Sequence, residues 1–300
     1  MIKSDAIDFM IIGGQKCGST FLHHVLDEHP QIGIIKGESP QFESPDYENG
    51  DWIKLIDDCK KMKVNYQSVI GIKRPNYLCN CDIPSRVNKH VSRPKFIIIL
   101  RDRVERLVSA YYHYMGQGFL PHRNINKGIE CLLNGNYAQR YLRSPELLNF
   151  GLYGKYMEHW LNYFDRRQFL ILRYDELTTD KIGLIRKCYE FLEVDTDFIP
   201  KKSLQKRPQK VEYDPTRLRI KALKNSLQYE YNSDKTRLFV KEQNTIDKIA
   251  CKAIDLLLTF YDKLGVYEKD DLTQRSINLI NEYYQHDVTL FNNVIGNNFD

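Results

Sequence analysis

The sequence predicts an α/β fold: a parallel β-sheet with helices on both faces and a helical addition toward the C-terminus. Five apolar runs, near Phe9–Ile12, Ile32–Ile35, Val69–Lys73, Phe96–Leu100 and Phe169–Leu172, are too short for typical helices and read as buried parallel strands. Segments of helical periodicity separate them, at Ser19–Glu28, Asp51–Met62, Arg103–Met115, Leu152–Phe164 and Lys181–Leu192. Alternating strands and helices at this spacing build a parallel sheet whose crossover helices cover both faces.

The first strand carries the most informative chemistry. Phe9-Met10-Ile11-Ile12 gives way to Gly13-Gly14-Gln15-Lys16-Cys17-Gly18-Ser19-Thr20, and Phe21, Leu22, Val25 and Leu26 then mark a helix. A glycine loop that opens a helix aims backbone N–H groups and the positive end of the helix dipole at its contents. Glycine permits close backbone approach and positive φ, and Lys16 adds a mobile cation. This is a phosphate cradle. It almost matches the nucleotide-triphosphate pattern G-x-x-x-x-G-K-[ST], so the sheet is of P-loop type. Ser19, however, stands where that pattern needs its lysine, and Lys16 lies three residues earlier. A γ-phosphate with Mg²⁺ would lose its usual partner, which disfavours ordinary ATP or GTP hydrolysis.

The remaining strands follow in order. Ile32–Ile35 leads into Lys36-Gly37-Glu38-Ser39-Pro40-Gln41-Phe42-Glu43, and Val69–Lys73 runs into Arg74-Pro75-Asn76-Tyr77. The Phe96–Leu100 strand ends at Arg101, and the helix after it shows an apolar stripe of Val104, Leu107, Val108, Tyr111, Tyr114 and Met115. Ser109 falls off that stripe. Arg101 thus stands at the carboxyl end of a strand, where open α/β sheets bind ligands, and an Arg–Ser pair there can hold a second phosphate. Gly116–Arg123 reads as a loop.

Together, Lys16-Cys17-Gly18-Ser19-Thr20 and Arg101 through Ser109 resemble the two phosphate elements of the sulfotransferases that use 3′-phosphoadenosine 5′-phosphosulfate (PAPS). His29-Pro30, Lys73-Arg74-Pro75-Asn76-Tyr77, Leu152-Tyr153 through Leu161, Tyr174-Asp175-Glu176-Leu177 and Tyr283-Tyr284 through Leu290 are similar to further stretches of that family. The resemblance implies that Lys16, Cys17, Gly18, Ser19 and Thr20 bind the 5′-phosphosulfate and Arg101 and Ser109 the 3′-phosphate. It implies that Lys16 and Lys73 stabilise the in-line transfer. The family's phenol and steroid branch takes a histidine as base after the third strand, where this chain has Arg74-Pro75-Asn76. Its glycan and bacterial branch takes a glutamate after the second strand, so Glu38 is the expected base and Glu43 the next candidate. PAPS is the implied co-substrate, with no metal.

Composition accords with this. The 300 residues, 42% hydrophobic, can bury a full core as one large domain or at most two. We read a core over residues 1–197, a helical insertion over about 198–270 and a terminal helix over 271–300. A net charge of +5 suits a polyanionic co-substrate and is too scattered for nucleic acid. Seven cysteines follow neither disulfide nor zinc spacing, which points to reduced thiols. The first strand begins almost at once and no apolar run approaches the ~18 residues of a spanning helix, so a cytoplasmic protein without membrane contact is expected.

From Pro200 the pattern changes. Lys201-Lys202-Ser203-Leu204-Gln205-Lys206-Arg207-Pro208 is basic, and the family resemblance makes Lys206 and Arg207 candidates for the 3′-phosphate; a solvated linker is the equal alternative. Helices are expected near Pro215–Tyr229, Ile246–Leu264 and Leu272–Val294. The stripe Ile246, Ile249, Ala250, Ala253, Ile254, Leu257, Phe260, Tyr261 and Leu264 is expected to pack on the sheet, shaping the acceptor pocket or a homodimer face.

The sequence therefore reads as a PAPS sulfotransferase acting on a hydroxyl or amine of a small-molecule acceptor, an alkaloid or other secondary metabolite. A saccharide or glycolipid acceptor is the alternative. A small-metabolite P-loop kinase and a non-catalytic nucleotide-binding module are the competing classes.

Overall fold

The computed structural model describes residues 3–66, 69–205, 213–231, 238–261 and 270–296. The chain runs β1 (Phe9–Gly13), α1 (Ser19–Asp27), β2 (Ile32–Ile34), α2 (Asp46–Asn49), α3 (Asp51–Tyr66), β3 (Val69–Lys73), α4 (Ile83–His90) and β4 (Lys95–Leu100). There follow α5 (Arg103–Gly116), α6 (Ile125–Leu133), α7 (Ser144–Asn149), α8 (Tyr153–Leu161), β5 (Phe169–Arg173), α9 (Glu176–Thr179), α10 (Lys181–Leu192) and α11 (Lys201–Gln205). The last elements are α12 (Pro215–Gln228), β6 (Tyr229–Tyr231), β7 (Leu238–Val240), α13 (Thr245–Tyr261) and α14 (Gln274–Ile295). Two compact units emerge, Met1–Asp102 with Leu152–Pro208 and His286–Asp300, and Arg103–Gly151 with Gln209–Gln285.

The first unit holds a five-stranded sheet of order β2-β3-β1-β4-β5, parallel throughout. Every β1 residue is buried, as expected for a strand covered on both faces. On one face Phe9, Ile11, Ile97, Ile99 and Leu172 pack with Leu22, Val25 and Leu26 of α1 and with Leu184, Ile185 and Leu192 of α10. On the other, Phe96 of β4 meets Trp160 of α8, Phe164 and Phe169 at ring separations of 4.7–4.9 Å. The alternation of Phe96 with Ile97 thus divides the two layers.

Two glycines are dictated by packing. A Cβ at Gly71 would fall 2.2 Å from the Phe9 ring, so β3 can pair with β1 in this register only without a side chain there. A Cβ at Gly154 would lie 2.5 Å from the Asp287 carbonyl, which lets α8 and α14 approach closely. Asp287 then accepts from the N–H groups of Gly154 and Lys155 at 3.0 and 2.9 Å, capping α8.

In the second unit α5 is buried along most of its length. Tyr284 donates to the Leu148 carbonyl at 2.8 Å, and Asn225 of α12 to that of Gly116 at 2.9 Å. The Gly116–Arg123 loop is anchored by Phe119 and Leu120, both buried, with Arg143 over the Phe119 ring.

The α13 stripe departs from expectation. Ile246, Ile249, Leu257 and Phe260 are 77, 61, 59 and 63% exposed, and Cys251 is the residue this helix buries. The apolar arc of the helix stays largely open, although its neighbour α12 packs beside it and is tied to it by Lys224–Asp255 at 2.5 Å. The short antiparallel β6–β7 pair and helices α4, α6 and α7 are further elements that sequence periodicity does not mark.

Candidate active site

The site lies at the carboxyl ends of β1, β3 and β4, where neighbouring connections leave for opposite faces of the sheet. The β1–α1 loop turns through Lys16 at φ 65° and Gly18 at φ 95°, and Cys17 N–H bonds the Gly14 carbonyl at 3.2 Å. Gly18 is the N-cap of α1, and no side chain caps that helix. Its first-turn N–H groups therefore point into the loop as an anion-binding end. Ser19 is buried and Thr20 exposed in this first turn.

Tyr174 forms the wall that this loop shares with Arg101. A Cβ on Gly18 would meet Leu177 Cδ1 at 2.7 Å and the Tyr174 ring at 3.4 Å, so the loop backbone lies against that ring. The Arg101 guanidinium stands over the same ring, 4.4 Å from its centroid. A second tie runs through Tyr153, whose hydroxyl donates to the Arg101 carbonyl at 3.0 Å and lies 3.8 Å from Cys17 Sγ. Cys17 is fully buried, a packing residue at the base of the loop. Ser109 lies two turns into α5, buried, in the second unit. Lys206 and Arg207 lie outside the described residues.

The third strand end supplies a four-residue charge cluster. Ser39 N–H bonds the Lys73 carbonyl at 3.0 Å, which draws the segment after β2 alongside the end of β3. Lys73, almost wholly buried, then reaches Glu38 Oε1 at 3.3 Å. Arg74 donates from Nη1 to Glu38 Oε2 at 2.6 Å, and from Nε and Nη2 to the two Glu43 oxygens at 2.8 and 2.6 Å. Burial works against the Arg74 charge, yet its hydrogen bonds to Glu43 and Glu38 outweigh that and raise its proton affinity.

Tyr77 templates the same segment. It is fully buried, donates to the Ser39 carbonyl and accepts from Phe42 N–H at 3.1 Å. Burial pushes its phenol pKa up, so it remains neutral. The loop after β1 joins this region through Gln15 Nε2, which donates to Asn76 Oδ1 at 3.4 Å.

The structure thus brings Glu38 and Lys73 together, and sets Gly18 and Arg101 on a common aromatic wall. Sequence reasoning missed His23, Tyr174, Tyr153 and the role of Arg74. His23 is buried on α1, its pKa pushed down to about 4 by burial and then by the Lys73 charge, so it is neutral at pH 7. Its place in the helix periodicity, between Leu22 and Val25, carries no signal that a charge cluster lies nearby.

Comparison with known proteins gives the family. The family described as "Sulfotransferase domain" matches residues 6–289, nearly the whole chain. The chain belongs to that family. The human heparan sulfate glucosamine 3-O-sulfotransferase 3B1 is 28% identical to this sulfotransferase domain over 185 residues, 61% of this chain and 45% of that protein. A mouse bifunctional heparan sulfate N-deacetylase/N-sulfotransferase 4 is 30% identical over 210 residues, 67% of this chain and 24% of its own. The chain spans about half or less of the length of these curated relatives. Among solved structures, a sulfotransferase from Alicyclobacillus acidocaldarius aligns with TM-score 0.56 at 20% identity, over 84% of this chain and 96% of its own. The mouse sulfotransferase SULT7A1 complexed with PAP aligns with TM-score 0.50 at 14% identity, over 96% and 85%. These two share the fold of this sulfotransferase domain.

Proposed function

We propose that this chain transfers a sulfuryl group from PAPS to a hydroxyl or amine of a saccharide. The observation that carries the reading is the pairing of an uncapped helix N-terminus at Gly18 with Arg101 across the Tyr174 ring, beside the Lys73–Glu38 pair. Two cationic ends on one wall fit a 3′,5′-bisphosphorylated adenosine, and the loop lacks the lysine position that a triphosphate needs.

PAPS supplies, when bound, a sulfuryl group activated on its 5′-phosphate. The N–H groups of Gly18 to Thr20 grip the 5′-phosphate, and Lys16 neutralises the oxygen from which sulfur departs. Arg101, its guanidinium held over the Tyr174 ring, takes the 3′-phosphate. Lys73 balances charge on the equatorial oxygens, and Glu38 removes the acceptor proton as the new bond to sulfur forms. Positioned cations and one carboxylate suffice for such an in-line displacement.

The acceptor assignment follows the relatives. Sequence reasoning placed a small metabolite first, whereas the matching curated proteins carry heparan sulfate in their names. The exposed Glu38 carboxylate, 42% accessible, suits an acceptor that arrives from outside. The test is transfer of radiolabelled sulfate from PAPS to heparan sulfate beside p-nitrophenol, with chelator present. Label in the polysaccharide alone is the expected result, and label in the phenol alone would restore the small-metabolite reading. Calorimetry with 3′-phosphoadenosine 5′-phosphate beside ADP, with and without Mg²⁺, checks the co-substrate independently.

A further inference from the structure

Arg74 follows Lys73 directly at the end of β3, and its guanidinium forks between Glu43 and Glu38. Because Pro75 follows, Arg74 is held extended at φ −152° and ψ 98°. Its N–H bonds the Ile11 carbonyl at 3.0 Å, which fixes the backbone to β1. The side chain is 16% exposed and spends two nitrogens on Glu43, itself 15% exposed. A parallel, two-bond fork of this kind is the most geometrically specific ion pair that proteins build.

This arrangement separates the two candidate bases. Both Glu43 oxygens are engaged by one guanidinium and largely shielded from solvent. Glu38 gives one oxygen to the third Arg74 nitrogen and the other to Lys73, and it alone of the two is open to an approaching acceptor. We propose that Arg74 is a positioning residue for the transfer: Glu43 anchors the guanidinium, and the guanidinium holds the Glu38 carboxylate over Lys73. The inference rests on Glu38 as the base. Lysine could not replace the fork, because a single ammonium cannot bond two carboxylates through three fixed directions.

The first test needs no acceptor. Crystal structures of the wild type and of Arg74→Lys, each with 3′-phosphoadenosine 5′-phosphate, give the Glu38–Lys73 separation directly. Separation beyond about 4 Å in the variant, against a close pair in the wild type, is expected. An unmoved Glu38 in the variant would overturn the positioning role.

The second test is kinetic, with PAPS and heparan sulfate. Arg74→Gln should lower kcat by about 10- to 100-fold, as loss of an orienting partner does elsewhere. In a Glu38→Gln background the same change should cost under about threefold, because the residue it positions is already disabled. Equal losses in both backgrounds would reject the proposal while leaving Glu38 as base. Unchanged kcat in Glu38→Gln alone would instead remove the base, and the proposal with it. Should Arg74→Gln fail to fold, Arg74→Met with Glu43→Leu replaces the buried pair by apolar groups of similar volume and is expected to show the same kinetic loss.

Discussion

The Arg101 guanidinium lies 4.4 Å above the centre of the Tyr174 ring, and that ring also abuts Gly18. One aromatic side chain thereby fixes the distance between a helix N-terminus and a cation, the two ends to which the proposed function assigns the phosphates of a doubly phosphorylated adenosine. Arg101→Ala should weaken binding of 3′-phosphoadenosine 5′-phosphate by about 1.5–3 kcal/mol, roughly 10- to 150-fold in Kd by calorimetry. Tyr174→Leu keeps the charge and should cost about 0.5–2 kcal/mol.

Gly18→Ala should abolish most of that binding for a different reason. The left-handed φ of 95° is unfavourable for any residue with a Cβ, and the added methyl would collide with Leu177. Loss of bisphosphate affinity in a variant that keeps its helical circular dichroism is the expected outcome; unchanged affinity would show that the loop does not bind the ligand.

Glu38→Gln should lower turnover sharply and leave affinity for the bisphosphate within about twofold, since an amide keeps the shape and loses the proton acceptor. The measurement is single-turnover sulfate transfer beside calorimetry on the same preparation.

His23 predicts acid sensitivity. Its folded pKa of about 4 lies below the unfolded imidazole value of about 6.5, so the unfolded chain binds the extra proton first. The stability linked to His23 is intact above about pH 6.5 and is lost as pH falls toward about 4. Urea midpoints between pH 7 and pH 4 should fall less steeply in His23→Asn than in the wild type.

Asp287→Ala should destabilise the fold by about 1–3 kcal/mol, because the N–H groups of Gly154, buried, and Lys155, part-buried, would lose this acceptor. Thermal or chemical denaturation checks this, and no change in bisphosphate affinity is expected.

Much of the sheet was legible beforehand. β3 runs Val69–Lys73 as expected, and α1, α5 and α10 begin at Ser19, Arg103 and Lys181. Buried parallel strands and amphipathic crossover helices write strong local periods, so pattern and structure agree. Helix α4 buries Ile83, Pro84, Val87 and His90 in eight residues, too brief and too polar a stripe to stand out. β6 and β7 have three residues each, shorter than any alternation that can be counted. The α13 stripe was visible, but periodicity states that a face is apolar and says nothing of what covers it.

The sequence by itself determined the layers and the glycine loop after β1, because strand runs, glycine placement and helix starts are local properties of neighbouring residues. Tertiary structure alone decided which carboxylate is open and which is locked. That choice depends on pairing Ile34 with Gly71 and Ser39 with Lys73, a register between segments more than thirty residues apart. It also depends on Tyr77, whose buried hydroxyl folds the Glu38 segment back over the end of β3. Long-range hydrogen bonds of this kind leave no period in the chain, so Glu38, Glu43 and Arg74 acquire distinct roles only once the strands have met.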